Sequence, residues 1–373
     1  MKMKRIMTAV SIGLAATLLA ACSSGSSTST TAAATETAAV TETAAPAAET
    51  VAATAAPAAE TVAATAAAAA ETVAATAAAA PAGGSKTIGV SVADQKSLFY
   101  IAAVDGMKTA ADKLGVKLIV LSADNDANKQ VNQVNDLLTQ KIDALVFIAQ
   151  DATAAAAGVK AANKAGVPVI AVDEKPESGN GQLATYIATD SVKAADALCQ
   201  WMFDKMGGSG EIGILRGVLG ATAELQRSKG CQQALSRNPG IKVVGTQSAN
   251  WDETQGYKAT QNMLAANPGI KAIFGESDAM GLGAAKAARD AKRTIIAVGI
   301  DGFPTMVTGI KEGLTQATQA QVPYKMGQLA IDNSLKAIGG EKLPAEQYQD
   351  TVLVTNDNVG TINPVDFYGP NVK

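Results

Sequence analysis

Histidine is absent from all 373 residues of the chain. That absence excludes Ser-His-Asp and Cys-His catalysis, imidazole metal sites and a histidine switch near neutral pH. An enzyme built on this sequence would have to work with carboxylates, lysine or tyrosine. Charge of one sign is missing too: 31 Lys and Arg face 34 Asp and Glu, a formal net charge of -3, which argues against a nucleic-acid partner. With 47% hydrophobic residues, the chain is not mostly disordered and should contain a large soluble globular part. Cysteine is scarce, three in all, so the position of each is informative.

Residues 1–22, MKMKRIMTAVSIGLAATLLAAC, open with Lys2, Lys4 and Arg5 and continue as an apolar run from Ile6 to Ala21, short for a membrane span. This is the layout of an export signal. It closes on Leu19-Ala20-Ala21-Cys22, which resembles the bacterial lipobox, where Cys22 would be lipidated and become the mature N-terminus. An ordinary signal peptide with an incidental cysteine is the alternative. Export leaves Cys199 and Cys231 as an even pair in a disulfide-permissive compartment. Both fall in predicted neighbouring helices, and a bond between them needs a close Cβ approach that sequence does not establish.

Residues 23–85 collapse to Ala, Thr, Ser, Pro and Glu, and the unit PAAETVAATAA recurs at Pro46, at Pro57 and, degenerate, from Ala68. No large side chain is available for a core. An eleven-residue repeat suits a supercoiled helix, but proline at the unit boundary and abundant threonine favour a flexible tether. A flexible chain of roughly sixty residues has a typical end-to-end distance of about 45 Å, enough to lift a domain off a membrane.

From Lys86 the texture changes. TIGVSVA (87–93), VKLIVLSA (116–123), DALVFIAQ (143–150) and VPVIAVD (167–173) read as fully buried parallel strands, separated by segments of helical period that end at or near glycine. The pattern starts again with EIGILRG (211–217), KVVGTQSA (242–249), KAIFGES (271–277) and TIIAVGID (294–301). Repeated βα units predict parallel sheets, and a segment of this size favours two cores over one. NPGIK, at 238 and again at 267, is explained as a helix stop followed by the next strand.

In an open parallel sheet, ligands sit beyond the carboxyl ends of the strands. The residues there form a polar set: Asp94, Gln95, Lys96 and Ser97, then Phe99 and Tyr100; Gln150 and Asp151; Asp173 and Glu174; and, in the second half, Arg227, Asn250, Trp251, Ser277, Asp278, Asp301 and Gln321. Acids, amides and a guanidinium mixed with a few aromatics suit a neutral polyhydroxyl ligand, whose hydroxyls donate and accept while a C–H face packs on a ring. DNDANKQ (124–130) lacks the glycine and the glutamate that a calcium loop requires. GVLG (217–220) and MGGSG (206–210) do not make a dinucleotide fingerprint. Neither a metal nor a cofactor is expected.

Several segments, TIGVSVADQKSLFYIAAVDGMKTAADKLG, GVPVIAVDEKP, IATDSVKAADAL, AELQRSKGCQQAL, SDAMGLGAAKAARDA, AVGIDGFPTMVTGI and TQATQAQVPYKMGQLA, resemble in this order the ribose-type sugar-binding proteins that serve bacterial ABC importers. The likeness spans 86–354. It implies a type I periplasmic-binding-protein fold: two doubly wound, Rossmann-like α/β lobes joined by a three-segment hinge. Residues 86–189 plus 322–346 would form the N-terminal lobe and 190–321 plus 347–373 the C-terminal lobe. By motif, the resemblance implies ligand contacts from Phe99 with Tyr100 beside it, Asp173, Arg227, Trp251, Asp301 and Gln321.

Three positions depart from the ribose pattern: Ser97, Glu174 and Ser277 stand where ribose binders carry Asn, Arg and Asn. These changes argue against ribose itself. Glu174 presents only an acceptor where relatives present a fivefold donor, predicting a ligand richer in donors at that point, such as a polyol, a differently configured sugar or an amino sugar. Composition alone keeps other roles open. Asp173 and Asp301 suit capping of the next turn, Asp151 reads first as a helix N-cap, Arg227 suits a surface ion pair, and Trp201 suits packing. On a regular strand Asp173 and Glu174 would point to opposite faces.

The resemblance therefore implies a monomeric, non-enzymatic receptor, lipid-anchored outside the cytoplasm, that passes a monosaccharide or polyol to ABC permease and ATPase subunits. Two alternatives stand: a sugar or furanosyl-signal receptor feeding a chemosensor or kinase, and a glycosidase with two carboxylates about 5 to 9 Å apart.

Overall fold

The computed structural model describes residues 85–177, 179 and 181–372. The export signal, the lipidation position Cys22 and the tether up to residue 84 lie outside the described residues. Among the described residues no helix is long and apolar enough to cross a membrane.

The chain begins as β1 (Thr87–Val92), α1 (Leu98–Leu114), β2 (Lys117–Ser122), α2 (Ala127–Thr139), β3 (Ala144–Ile148), α3 (Ala152–Lys164), β4 (Val169–Val172) and β5 (Thr185–Thr189). A second series follows: α4 (Ser191–Lys205), β6 (Ser209–Arg216), α5 (Thr222–Arg237), β7 (Gly240–Ser248), α6 (Glu253–Ala266), β8 (Ile270–Gly275), α7 (Asp278–Asp290), β9 (Ile296–Asp301), α8 (Pro304–Lys311) and β10 (Ala317–Ala320). The chain ends with α9 (Pro323–Ile338), β11 (Glu346–Gln349), β12 (Val352–Thr355), a short 3-10 turn at Val359–Thr361 and α10 (Val365–Tyr368).

The strands make two six-stranded sheets, ordered β11-β5-β4-β3-β1-β2 and β12-β10-β9-β8-β6-β7. Pairing is parallel apart from β12, which runs antiparallel to β10. Every residue of β3 and β4 is buried, as expected where helices cover both faces of a parallel sheet. One lobe centres on Ile88, Val90, Val146, Ile148 and Ile170 with Met107 and Met326; the other centres on Ile212, Phe274, Val298 and Ile300 with Leu198 and Phe203.

The chain passes between the sheets three times: after β5, between β10 and α9, and between β11 and β12. The third passage falls later than the sequence reading places it. β11 pairs with β5 from Glu346 to Gln349, so residues 347–349, assigned above to the second lobe, lie in the first sheet. Helix α9 follows a second-lobe strand but packs against α1, with no room for a side chain at Gly327, where a Cβ would lie 1.9 Å from the Ala103 carbonyl oxygen. Cys199 on α4 and Cys231 on α5 are joined by a disulfide, their Cα atoms 5.4 Å apart. The last residues bridge the lobes: Phe367 and Tyr368 pack with Ala102 of α1 and with Val307 and Ile310 of α8.

Candidate functional site

The carboxyl ends of the strands in the two sheets face a common cleft of about 690 Å³. Its lining includes all ten ligand candidates: Ser97, Phe99, Tyr100, Asp173, Glu174, Arg227, Trp251, Ser277, Asp301 and Gln321.

On the first-lobe wall, Asp94 shapes the turn after β1. One of its carboxylate oxygens accepts from the amides of Lys96 at 2.6 Å and Ser97 at 2.9 Å, which brings the start of α1 to the cleft. Ser97 precedes the helix, yet its hydroxyl makes no capping bond. Phe99 and Tyr100 meet edge to face with ring centroids 5.7 Å apart. After β4 the chain turns sharply, because Asp173 adopts a left-handed φ of 61°. The Tyr186 hydroxyl donates to its carbonyl oxygen at 2.5 Å. The turn breaks strand alternation, so Asp173 and Glu174 both line the cleft, contrary to the opposite-face expectation for a regular strand.

Burial pushes the Asp173 carboxyl up from its ordinary range, while Arg227 and the Tyr100 hydroxyl pull it down. Burial likewise raises Glu174, and the charge of Asp173 raises it further. Glu174 is already engaged: its Oε2 accepts from the Thr222 amide of the second lobe at 2.7 Å.

The second-lobe wall is organised around Arg227, which is 4% exposed and so not the surface ion-pair residue that composition allowed. Its guanidinium donates to the Glu276 carbonyl oxygen at 2.5 Å and stands 3.6 Å from Asp301 Oδ1. The same group lies over the Trp251 ring, 5.4 Å from its centroid. Trp251 is aimed by two consecutive left-handed residues, Asn250 at φ 50° and Trp251 itself at φ 61°. Its indole rests on Gly217, where a Cβ would come within 2.0 Å of ring atoms. Asn250 is committed to its own loop, donating to Gln255 at 2.9 Å and accepting from Ser248 at 3.0 Å.

Asp301 closes β9. Its Oδ1 accepts from Gln321 Nε2 at 2.9 Å, its Oδ2 from the Asp278 amide at 3.2 Å, and its carbonyl oxygen from the Tyr368 hydroxyl at 2.9 Å. Asp278 shapes the loop that follows, accepting from the Gly302 and Phe303 amides at 2.7 and 2.8 Å and from the Thr318 hydroxyl at 2.7 Å. Burial raises Asp278 and Asp301, with mutual repulsion pushing Asp278 further and Arg227 opposing the rise at Asp301. Ser277 caps α7, its hydroxyl accepting from the Met280 amide at 3.4 Å. On the residues that line the cleft, two buried polar atoms have no partner: Arg227 Nε, a donor, and Gln321 Oε1, an acceptor.

Sequence reasoning missed Phe303, Asn125 and Glu276. Phe303 lines the cleft and meets Tyr368 edge to face at 5.6 Å; the signal for it was an aromatic just past the strand-end acid in GIDGFP, mirroring Phe99 after the first strand. Asn125 also lines the cleft, from the segment considered above for calcium. There Asp124 pairs with Lys129 and Asp126 accepts from the Lys129 amide at 3.0 Å, so both acids serve the start of α2. Glu276 sits beneath Arg227, accepting from the Gly217 amide at 2.9 Å and the Ser228 hydroxyl at 2.6 Å; burial pushes it up to about 7. Asp151 caps α3 through the Ala154 amide at 2.7 Å. Trp201 packs against the second-lobe core.

Residues 88–342 match the family described as periplasmic binding protein domain. The ribose import binding protein of Bacillus subtilis (strain 168) is 34% identical over 257 residues, covering 69% of this chain and 83% of that protein. The xylitol-binding protein of Mycolicibacterium smegmatis is 33% identical over 280 residues, covering 74% of this chain and 78% of that protein. Among solved structures, an ABC transporter solute binding protein from Mycobacterium smegmatis with bound glycerol superposes with TM-score 0.73 at 30% identity, covering 77% of this chain and 100% of that one.

Proposed function

The chain belongs to the periplasmic binding protein domain family, and from that membership we propose an extracytoplasmic receptor that captures a monosaccharide or polyol between its lobes and delivers it to an ABC-type permease. The observation that carries this reading is the presence of an unpartnered donor, Arg227 Nε, and an unpartnered acceptor, Gln321 Oε1, on the lining of one cleft. Both are buried without partners on residues that line a cleft whose other polar groups are acids, hydroxyls, amides and one lysine. A buried polar atom left unpaired costs on the order of 1–3 kcal/mol. A hydroxyl, which donates and accepts, answers both kinds of atom.

The aromatic faces of Phe99, Trp251 and Phe303 supply apolar surface for the C–H side of such a ligand. Capture requires no bond chemistry. A ligand touching both lobes favours the closed arrangement, because separation of the lobes removes half of its contacts. The names of the relatives, ribose import and xylitol binding, support a pentose or a polyol of similar size.

Calorimetric titration of the full chain with pentoses, hexoses and polyols tests this directly: one or more members should give saturable one-to-one heat, and silence across the panel would remove the reading. Lipidation at Cys22 is part of the same proposal, supported by the lipobox-like end of the export signal. Fatty-acid labelling of cells should mark the protein, and label that persists in Cys22→Ala would reject the anchor.

A further inference from the structure

Helix α5 begins without a cap of its own. Ala221 precedes its first turn and has no side-chain acceptor, although the first amides of a helix are donors that need partners. The partner comes from the other lobe. Glu174, in the turn after β4, aims Oε2 at the Thr222 amide at 2.7 Å, and the adjacent Lys175 amide donates to the Thr222 hydroxyl at 3.2 Å.

Both sides of this contact are braced. In the second lobe, Glu224 accepts from the Gly220 amide at 3.1 Å and pairs with Arg216, and Glu276 holds the Gly217 amide at 2.9 Å; together they fix the loop leading into α5. In the first lobe, Lys175 pairs with Glu346 at 2.6 Å, and Glu346 opens β11, the last first-lobe strand before the third passage between lobes.

We propose that Glu174 and Thr222 form an interlobe clasp that sets the closing equilibrium of the cleft, with Glu174 acting as the cap of α5 and not as a ligand contact. The clasp rests on the reading of the cleft as one that closes on a solute. A carboxylate at a helix N-terminus is favoured both by the unpaired amides and by the helix dipole. Glu174 and Thr222 belong to different sheets and lie 48 residues apart in sequence, so opening the lobes breaks the bond and exposes both groups to water. The clasp therefore biases closure in the same direction as a ligand that touches both lobes. It acts on every ligand alike, because its atoms are protein atoms.

The test uses the full chain without ligand first. Hydrogen exchange of the Thr222 and Ala223 amides and the radius of gyration by X-ray scattering are compared for the native chain, Glu174→Ala and Thr222→Pro. Proline is tolerated at the first position of a helix, so Thr222→Pro removes the amide donor while leaving α5 able to form; Thr222→Ala keeps that amide and removes only the hydroxyl that meets Lys175, so it isolates the hydroxyl's share of the clasp. Glu174→Ala should lose protection at Thr222 and expand, Thr222→Pro should expand at least as much, and Thr222→Ala, which keeps the bond to Glu174, should keep protection at Thr222 and expand less than either.

With a ligand, Glu174→Ala and Thr222→Pro should each weaken affinity about tenfold, the loss typical of a charge-assisted bond. The double variant should lose little more than either single one, and the rank order among sugars and polyols should not change. Unchanged exchange and scattering in Glu174→Ala would overturn the clasp, as would a reordered ligand preference, which would make Glu174 a ligand contact. A chain that binds no sugar still reports the clasp through exchange and scattering, so failure of the transport reading and failure of the clasp are separate results.

Discussion

The Arg227 guanidinium lies over the Trp251 indole, 5.4 Å from its ring centroid, while donating to the Glu276 carbonyl oxygen at 2.5 Å. One planar group thus covers the ring, donates and faces Asp301 at 3.6 Å, with Nε left buried and without a partner. Lysine has the charge but neither the plane nor the fork. Arg227→Lys should fold, since it still offsets Asp173 and Asp301, yet lose sugar or polyol affinity by at least about tenfold, the equivalent of one charged hydrogen bond. Calorimetry measures the loss and a thermal melt checks the fold; native affinity in Arg227→Lys would show that the stacked guanidinium is not used.

Gly217 sets the height of the opposite ring. A Cβ there would lie 2.0 Å from Trp251 Cη2 and Cζ2, closer than any contact can be, while the Gly217 amide that holds Glu276 would survive the change. Gly217→Ala should therefore push the indole out of place at a cost of about 1–3 kcal/mol and reduce affinity without abolishing the cooperative melt. The sequence has two tryptophans, Trp201 and Trp251, and Trp201 packs against the second-lobe core. Any ligand-induced fluorescence change should therefore come from Trp251 and shrink in Gly217→Ala. An undiminished change would mean that the ring adapts.

The parts of this architecture that sequence made readable are those in which one segment decides its own environment. Strands such as β3 and β4 are buried along their whole length, which forces a continuous apolar run. β11, EQYQ, alternates exposed and half-buried positions at a sheet edge, so it leaves no such run, and the lobe boundary near it came out early. Asp173, Ser277, Asp301 and Gln321 were legible because each stands at or just past a strand end, whereas Arg227 lies inside α5 and was reached through the resemblance. What Glu174 does was not legible, since its partner is a main-chain amide in the other lobe, and a main-chain amide has no residue type to recognise. The left-handed turn at Asp173 was equally hidden, because aspartate in an αL turn and aspartate ending a strand look the same in sequence.

Buried acids make stability depend on pH in an unusual sense. Asp173, Glu174, Asp278 and Asp301 are held above their ordinary values by burial, and Glu276 is pushed to about 7 from an ordinary 4.5. A carboxylate raised in the native state binds protons more tightly there than in the unfolded chain. Its stabilisation is complete below the unfolded value and is lost as pH climbs through the native one. The charged neighbours act both ways: Arg227 opposes the rise, while Asp173 raises Glu174 and Glu224 raises Glu276. The acids held below their ordinary range, among them Asp143 and Glu346, lose their contribution only at pH values under the usual carboxylate range. The ligand-free protein should melt at a higher temperature at pH 6 than at pH 8, by at least about 3 °C if one net proton is released over that range. A melting temperature that rises or stays level across this window would show that the buried acids ionise freely in the native state.

The disulfide offers a way to separate stability from recognition. Cys199 and Cys231 tie α4 to α5 across 32 residues of sequence, and a loop of that size is worth about 3–4 kcal/mol of unfolding free energy. Reduction, or the double change Cys199→Ala and Cys231→Ala, should therefore lower the melting temperature by roughly 6–15 °C for a protein of this size. Arg227 lies one turn before Cys231 on α5, so a loosened helix would also blur the cleft. Two features argue that it does not loosen. Arg227 is held from the other side by Glu276, Asp301 and Trp251, and α4 and α5 pack so closely that a Cβ on Gly230 would lie 2.2 Å from the Val192 carbonyl oxygen. Affinity for the bound sugar or polyol should then stay near native while the melt shifts, with titration under reducing and oxidising conditions as the check. A parallel loss of affinity on reduction would mean that the bond, and not the contacts of Arg227, holds α5 in register with the cleft.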